Sequence, residues 1–122
     1  MLTTAVYTEK AGYQMNADST WSNIITQLKE NDEEIRTVPS NNREPLWFNA
    51  YVENENLYVQ NSIRNNPSTK MSQRRKISKK DFDTVYPYYH RWANGERHLR
   101  QKVRTLSRNT AYIFALIAHF EY

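Results

Sequence analysis

The sequence predicts an α+β fold: a small antiparallel sheet, built on a hairpin at about 46–61, with an N-terminal amphipathic helix and a C-terminal helical half packed on it. Three observations predict this fold. Apolar residues recur at helical spacing near the start, two alternating segments flank a turn in the middle, and an almost wholly apolar segment lies near the end. With 122 residues, 39% of them hydrophobic, the chain has the size and the core material of a single domain, residues 1–122.

The first helix is predicted over 19–30. Its apolar residues follow the i, i+3, i+4, i+7 pattern that places them on one face: Trp21, Ile24, Ile25 and Leu28. Asp18 precedes them as a helix-capping residue type, and Lys29 suits the negative end of the helix dipole. After the helix, residues 35–38 alternate and predict a brief strand that Pro39 stops.

The clearest strand pattern is a β-hairpin. Segments 46–52 and 57–61 alternate apolar and polar residues on either side of an Asn-containing turn at 53–56. One face of the first segment is apolar throughout, which predicts that it packs on the core: Leu46, Phe48, Ala50 and Val52. The opposite face of the hairpin carries three large aromatic residues: Trp47, Tyr51 and Tyr58.

A loop and then a long helix are predicted to follow the hairpin. Residues 62–72 combine Asn and Pro with few apolar residues, which is typical of a loop. Ser78 and Asp81 then form a capping-box pattern ahead of an apolar stripe that predicts a core face: Phe82, Val85, Tyr86, Tyr89 and Trp92. Pro87 lies inside this helix and is expected to kink or restart it, and Asn94-Gly95 is predicted to end it.

The last third of the chain contains one ambiguous segment and one clear helix. In residues 96–106 the positions of Leu99, Val103 and Leu106 fit a helix, although a loop or a strand also fits. Residues 110–120 are apolar nearly all round, which predicts the helix at the centre of the core. Its cap is predicted to be Ser107 or Asn109.

Charge is distributed unevenly along the chain, although the net charge is only +4. Residues 1–69 contain 5 Lys and Arg against 9 Asp and Glu, whereas residues 70–122 contain 12 against 4. A positive block of this kind attracts polyanions. The alternative interpretation is a solvated face that keeps the protein soluble.

Two clusters of cations predict a surface that binds nucleic acid, DNA or RNA, without catalysis. The first spans a loop and the start of a helix: Lys70, Arg74, Arg75, Lys76, Lys79 and Lys80. The second precedes the last helix: Arg97, Arg100, Lys102, Arg104 and Arg108. With five or six phosphate contacts, the logarithm of the binding constant would fall with the logarithm of the salt concentration, with a slope of about −5. Tyr88 lies off the apolar stripe between the clusters and is a candidate for stacking on a base.

The sequence contains no motif that specifies a reaction. It has no cysteine, which removes disulfides, thiolate metal ligands and cysteine nucleophiles. Its two glycines, Gly12 and Gly95, are too few for a Walker-type or a dinucleotide-binding loop. His90, Asn94 and His98 are spaced by four, but Asn94-Gly95 interrupts the helix between them, so coincidence is favoured over a metal site. No catalytic residue, metal site or cofactor is therefore predicted.

Two alternative functions compete with nucleic-acid binding. The aromatic face formed by Trp47, Tyr51 and Tyr58 suits a protein-interaction or homodimerisation surface, because aromatic residues are enriched at contact hot spots. A small nuclease or hydrolase would need His90 or His98 beside a carboxylate in a cleft. We expect a cytoplasmic protein outside the membrane, because the sequence has neither a signal-peptide pattern nor an apolar run near the ~18 residues that span a bilayer.

Overall fold

The computed structural model describes residues 16–121, and within that range it contains four helices and four strands. In chain order these are α1 (Ala17–Glu30), β1 (Glu33–Arg36), β2 (Trp47–Glu53), β3 (Asn56–Asn61), β4 (Arg75–Ile77), α2 (Lys79–Ala93), α3 (Leu99–Arg104) and α4 (Thr110–Glu121). The predicted α+β fold, with its N-terminal helix, antiparallel sheet and C-terminal helices, is confirmed. No helix within residues 16–121 has both the length and the apolar character needed to cross a membrane.

The sheet is an antiparallel meander in which each strand pairs with the next along the chain. The predicted hairpin forms its centre, with Tyr51 of β2 opposite Tyr58 of β3. Both central turn residues have left-handed backbone, Asn54 at φ 52° and Glu55 at φ 67°. Tight two-residue hairpin turns need this conformation because it matches the twist of the flanking strands.

Two strands differ from the sequence prediction. β1 occupies Glu33–Arg36 rather than 35–38. β4 is absent from the prediction: Arg75–Ile77 lies in the basic run expected to be a loop, yet it pairs with β3, with Val59 opposite Arg75. A strand of three residues is too short to show alternation, and the loop at 62–72 separates it from its partner β3.

The helices cover one face of the sheet and enclose the core. α1 and α4 pack against strands, whereas α2 packs on α1 and α4, and α3 packs on α2 and α4. The sheet contributes alternate side chains that are almost fully buried: Ile35, Phe48, Leu57, Val59 and Ile77. Residues 113–117 of α4 are all buried, which confirms this helix as the centre of the core.

α2 is one unbroken helix through Pro87, so the predicted restart at this residue is wrong. Pro87 itself is exposed, and the core residues that follow the helical stripe on either side of it are buried: Tyr86, Tyr89 and Trp92. Packing on both sides of Pro87 therefore keeps the helix continuous. The predicted end is confirmed, because Asn94 is the C-terminal cap and Gly95 adopts φ 121°.

Ser78 caps α2, as the sequence predicts, because its hydroxyl accepts a hydrogen bond from the N–H of Asp81 at 3.0 Å. Replacing Ser78 with Ala is expected to lower the free energy of unfolding by about 1 kcal/mol, since this N–H loses its acceptor. Urea denaturation measures the change. Ser72→Ala is the matched control, because Ser72 is an exposed loop residue. Equal losses in the two variants would contradict the capping role.

The carboxylate of Glu34 fastens the loop at 62–72 to the sheet. It accepts five hydrogen bonds, three from side chains and two from backbone N–H groups: Ser62, Asn49 and Asn65, and Ile63 and Arg64. Burial alone would raise the pKa of Glu34, but the hydrogen bonds outweigh it and lower the pKa to about 2. A half-buried carboxylate of β1 therefore holds residues 62–65 of this loop against the sheet.

Candidate nucleic-acid interface

Three arginines of the C-terminal half and one arginine from the loop after β1 line one cleft, where that loop meets α3 and the start of α4. The cleft has a volume of about 340 Å³, and Ser107, Thr110 and Ala111 line it on the α4 side. Four arginines, which define the arginine cleft, provide most of its lining: Arg43, Arg100, Arg104 and Arg108. Three of these four are residues that the sequence predicts for nucleic-acid binding.

The helical geometry of α3 places two of these arginines together. Leu99 and Val103 are buried on one side of the helix, against α2 and α4. Arg100 and Arg104, four residues apart, share the other side and line the same cleft. Like charges at this spacing repel, so α3 on its own is destabilised by the arrangement.

Arg100 is the most enclosed cation of the cleft. Its guanidinium lies over the rings of Trp92 and Phe114, at 4.8 and 4.9 Å from their centroids, and Nη1 donates to the carbonyl of Val38 at 2.7 Å. Burial lowers the pKa of Arg100, and repulsion from Arg104 and from Arg97 lowers it further. Burial and two neighbouring cations thus oppose the positive charge of Arg100, whereas the two rings and the carbonyl of Val38 stabilise it.

Carboxylates do not neutralise the arginine cleft. Within residues 16–121, no Asp or Glu oxygen lies within 4.0 Å of a guanidinium nitrogen of its four arginines. Five other cations have such a partner: Lys29, Arg64, Arg74, Lys79 and Arg91. Within residues 16–121, several lysines and arginines are therefore paired with Asp or Glu, whereas the four arginines of the cleft are not.

Two further predicted residues adjoin the cleft, whereas a third, Lys102, lies on a different side of α3 from Arg100 and Arg104. Arg97 lies over the ring of Trp92 at 4.6 Å, beside Arg100. Arg75 of β4 donates to the backbone carbonyl of Arg108 at 3.2 Å, which connects the first cluster to the cleft. Lys102 lies 5.8 Å from the ring centroid of Tyr88, a half-buried residue.

The rest of the first cluster is dispersed. Lys79 is paired with Asp18 at 2.6 Å and with Asp83 at 2.9 Å, so acids balance its charge. Lys76 is exposed on β4 opposite Tyr58, and Arg74 is paired with Glu53 at 2.9 Å. Lys70 and Lys80 are exposed. The two predicted clusters therefore meet at Arg75 and Arg108, not along their whole length.

The predicted aromatic face is divided into two parts. Tyr51 and Tyr58 stack with ring centroids 5.6 Å apart, and the guanidinium of Arg74 covers Tyr58 at 4.0 Å. Trp47 lies at the other end of β2, beside Arg36 at 5.5 Å. Between these two parts Asn49 is fully buried. The three aromatic residues therefore do not form one continuous patch.

Arg43 belongs to the cleft but is missing from the sequence prediction. It lies in the loop at 37–46, within the acidic half of the chain, and nothing in its neighbours marks it as a binding residue. Its place beside Arg104 and Arg108 depends on how this loop packs against α3 and α4. A local sequence pattern does not contain that information.

Two of the three histidines, His90 and His119, take part in polar networks between elements. His90 contacts the buried carboxylate of Glu121 at 2.6 Å, and the same carboxylate accepts hydrogen bonds from Thr20 at 2.7 Å and from Tyr86. His119 contacts Glu33 of β1 at 2.7 Å. Within residues 16–121, no three His, Asp or Glu side chains are grouped so that they could hold a metal ion.

Comparison with protein-family models, with curated proteins and with solved structures gives no match to this chain. The geometry and the charge of the arginine cleft therefore carry the functional assignment.

Proposed function

We propose that this protein binds nucleic acid, without catalysing a reaction, through the basic surface centred on the arginine cleft. The observation that carries the proposal is the convergence of four arginines on one cleft without an acidic partner among residues 16–121. Because like charges repel, as Arg104 repels Arg100, an anion that binds in the cleft relieves the repulsion. The phosphates of nucleic acid supply that anion, and arginine is well suited to them because its planar fork donates two parallel hydrogen bonds.

The cations outside the cleft favour a polymer over a small anion. Arg75 and Arg97 adjoin the cleft: Arg75 donates to the carbonyl of Arg108, and Arg97 lies over the same Trp92 ring as Arg100. A small anion needs the cleft alone, whereas a phosphate backbone extends over the surrounding surface as well. The aromatic-face alternative is less well supported, because Arg74 already covers Tyr58 and Asn49 separates Trp47 from Tyr51.

Salt dependence tests the proposal. Labelled single-stranded and double-stranded DNA and RNA of equal length are titrated with the protein at several salt concentrations between about 50 and about 200 mM. Four to six phosphate contacts predict a log–log slope of about −4 to −5 on a duplex. Absence of binding at the lowest salt, or a slope near zero, would contradict the proposal.

A further inference from the structure

We infer that the arginine cleft binds a phosphate monoester, the group found at the end of a phosphorylated nucleic-acid strand or on a free nucleotide. The inference rests on the proposed function, because it names the part of a nucleic acid that enters the cleft. A monoester carries a charge of about −1.5 to −2 near pH 7 and offers three terminal oxygens. A phosphodiester within a strand carries about one charge and continues into sugar on both sides.

The shape of the cleft favours a chain end. Its arginines come from three separate segments: Arg43 from the loop after β1, Arg100 and Arg104 from α3, and Arg108 from the turn before α4. A ligand in the cleft is therefore approached by guanidinium groups from several directions. The volume of about 340 Å³ is near the lower end of small-molecule sites, which suits one nucleotide, so a duplex contacts only the exposed arginines at the mouth of the cleft.

The electrostatics of the cleft favour a dianion over a monoanion. Burial lowers the pKa of Arg100, and the positive field of the neighbouring Arg104 and Arg97 lowers it further. A ligand with nearly two negative charges compensates this field better than a ligand with one. The first turn of α4 adds to the effect, because Thr110 and Ala111 line the cleft and this turn contains no acidic residue.

Arg43 and Arg104 provide the variant that tests the inference. Both side chains are exposed and lie outside the core, so Arg43→Gln with Arg104→Gln is expected to fold, which thermal unfolding checks. Binding is measured for three single-stranded oligonucleotides of one sequence that end in a 5′-phosphate, a 3′-phosphate or hydroxyls only. A second arm measures the shift in melting temperature that a nucleoside monophosphate, a nucleoside and inorganic phosphate each produce.

The expected result is about tenfold tighter binding of a phosphorylated oligonucleotide than of the hydroxyl-ended one, with this preference lost in the variant. A nucleoside monophosphate should raise the melting temperature of the wild type more than a nucleoside does, and should not do so in the variant. Inorganic phosphate acting as strongly as the nucleotide would also support the site, as a site for the phosphate group alone.

The two proposals fail in different ways. Equal affinity for phosphorylated and hydroxyl-ended strands would overturn the inference while nucleic-acid binding stands. A melting-temperature shift from the nucleotide, without binding of any oligonucleotide, would overturn the proposed function and keep the phosphate site. Absence of both effects would overturn both.

Discussion

Replacing Arg104 and Arg108 together with Gln is expected to weaken the binding of a duplex oligonucleotide about hundredfold at low salt, and to reduce the log–log salt slope by about 2. Each lost guanidinium removes one released counterion and one charge-assisted hydrogen bond to phosphate. Both side chains are exposed at the mouth of the arginine cleft, so the core is untouched and stability is expected to stay within experimental error. Fluorescence anisotropy at several salt concentrations measures both quantities.

Lys29→Gln with Arg91→Gln is the matched control. It also removes two positive charges, but Lys29 is paired with Glu55 at 2.7 Å and Arg91 with Glu96 at 2.9 Å. These cations are already balanced, so their loss is expected to change affinity by less than about threefold through the long-range field alone. If the two double variants weaken binding equally, net charge rather than the arginine cleft governs affinity, and the placement of the site is wrong.

Sequence patterns predict the helices and strands whose conformation is determined by residues nearby in the sequence. The stripe that includes Phe82 and Trp92 predicts the face of α2, and the alternation before and after Asn54 predicts the hairpin. Patterns fail where the determining contact comes from elsewhere. β4 forms because its backbone pairs with the edge of β3. α2 continues through Pro87 because buried residues before and after Pro87 pack in the core.

The candidate site likewise contains residues that the sequence predicts and one that only the folded structure reveals. Arg100, Arg104 and Arg108 are close in sequence, so the density of charge predicts that they lie near one another. Arg43 joins them only through folding. The neutralisation of Lys79 by Asp18 is a contact of equally long range, and it depends on α1 packing beside α2. The density of Lys and Arg in the sequence therefore locates the basic region. Ion pairs with Asp and Glu in the folded protein determine which of these cations remain available to a ligand.

Replacing Glu34 with Gln is expected to lower the free energy of unfolding at pH 7 by about 2 kcal/mol. Both oxygens of the carboxylate accept hydrogen bonds, from Ser62 and Asn65 on one oxygen and from Asn49 and Ile63 on the other. Gln presents an NH₂ group to one of these sets of donors in either orientation, so those donors lose their acceptor. Glu55→Gln is the matched control, because Glu55 is highly exposed, and it should change stability by less than about 0.5 kcal/mol.

The same substitution is expected to change how stability depends on pH. The pKa of Glu34 in the folded protein is about 2, below the ordinary value of 4.5, so its stabilising contribution is complete above about pH 5. That contribution is lost as pH falls from about 4.5 towards 2, because the unfolded chain then binds a proton at this carboxyl group while the folded protein keeps it ionised. A shift of this size corresponds to about 3 kcal/mol, which screening by water at a half-buried site reduces to about 2.

Urea denaturation between pH 7 and pH 2 separates this contribution from those of other acids. Hydrogen bonds from Asn49 and then from Arg64 also lower the pKa of Asp32, so some loss of stability on acidification remains in every variant. The difference in stability between wild type and Glu34→Gln should therefore be largest at neutral pH and shrink steadily below about pH 4.5. A difference that stays constant over this range would mean that Glu34 is already protonated in the folded protein or holds no charge-dependent contact, and the loop at 62–72 would then need another anchor.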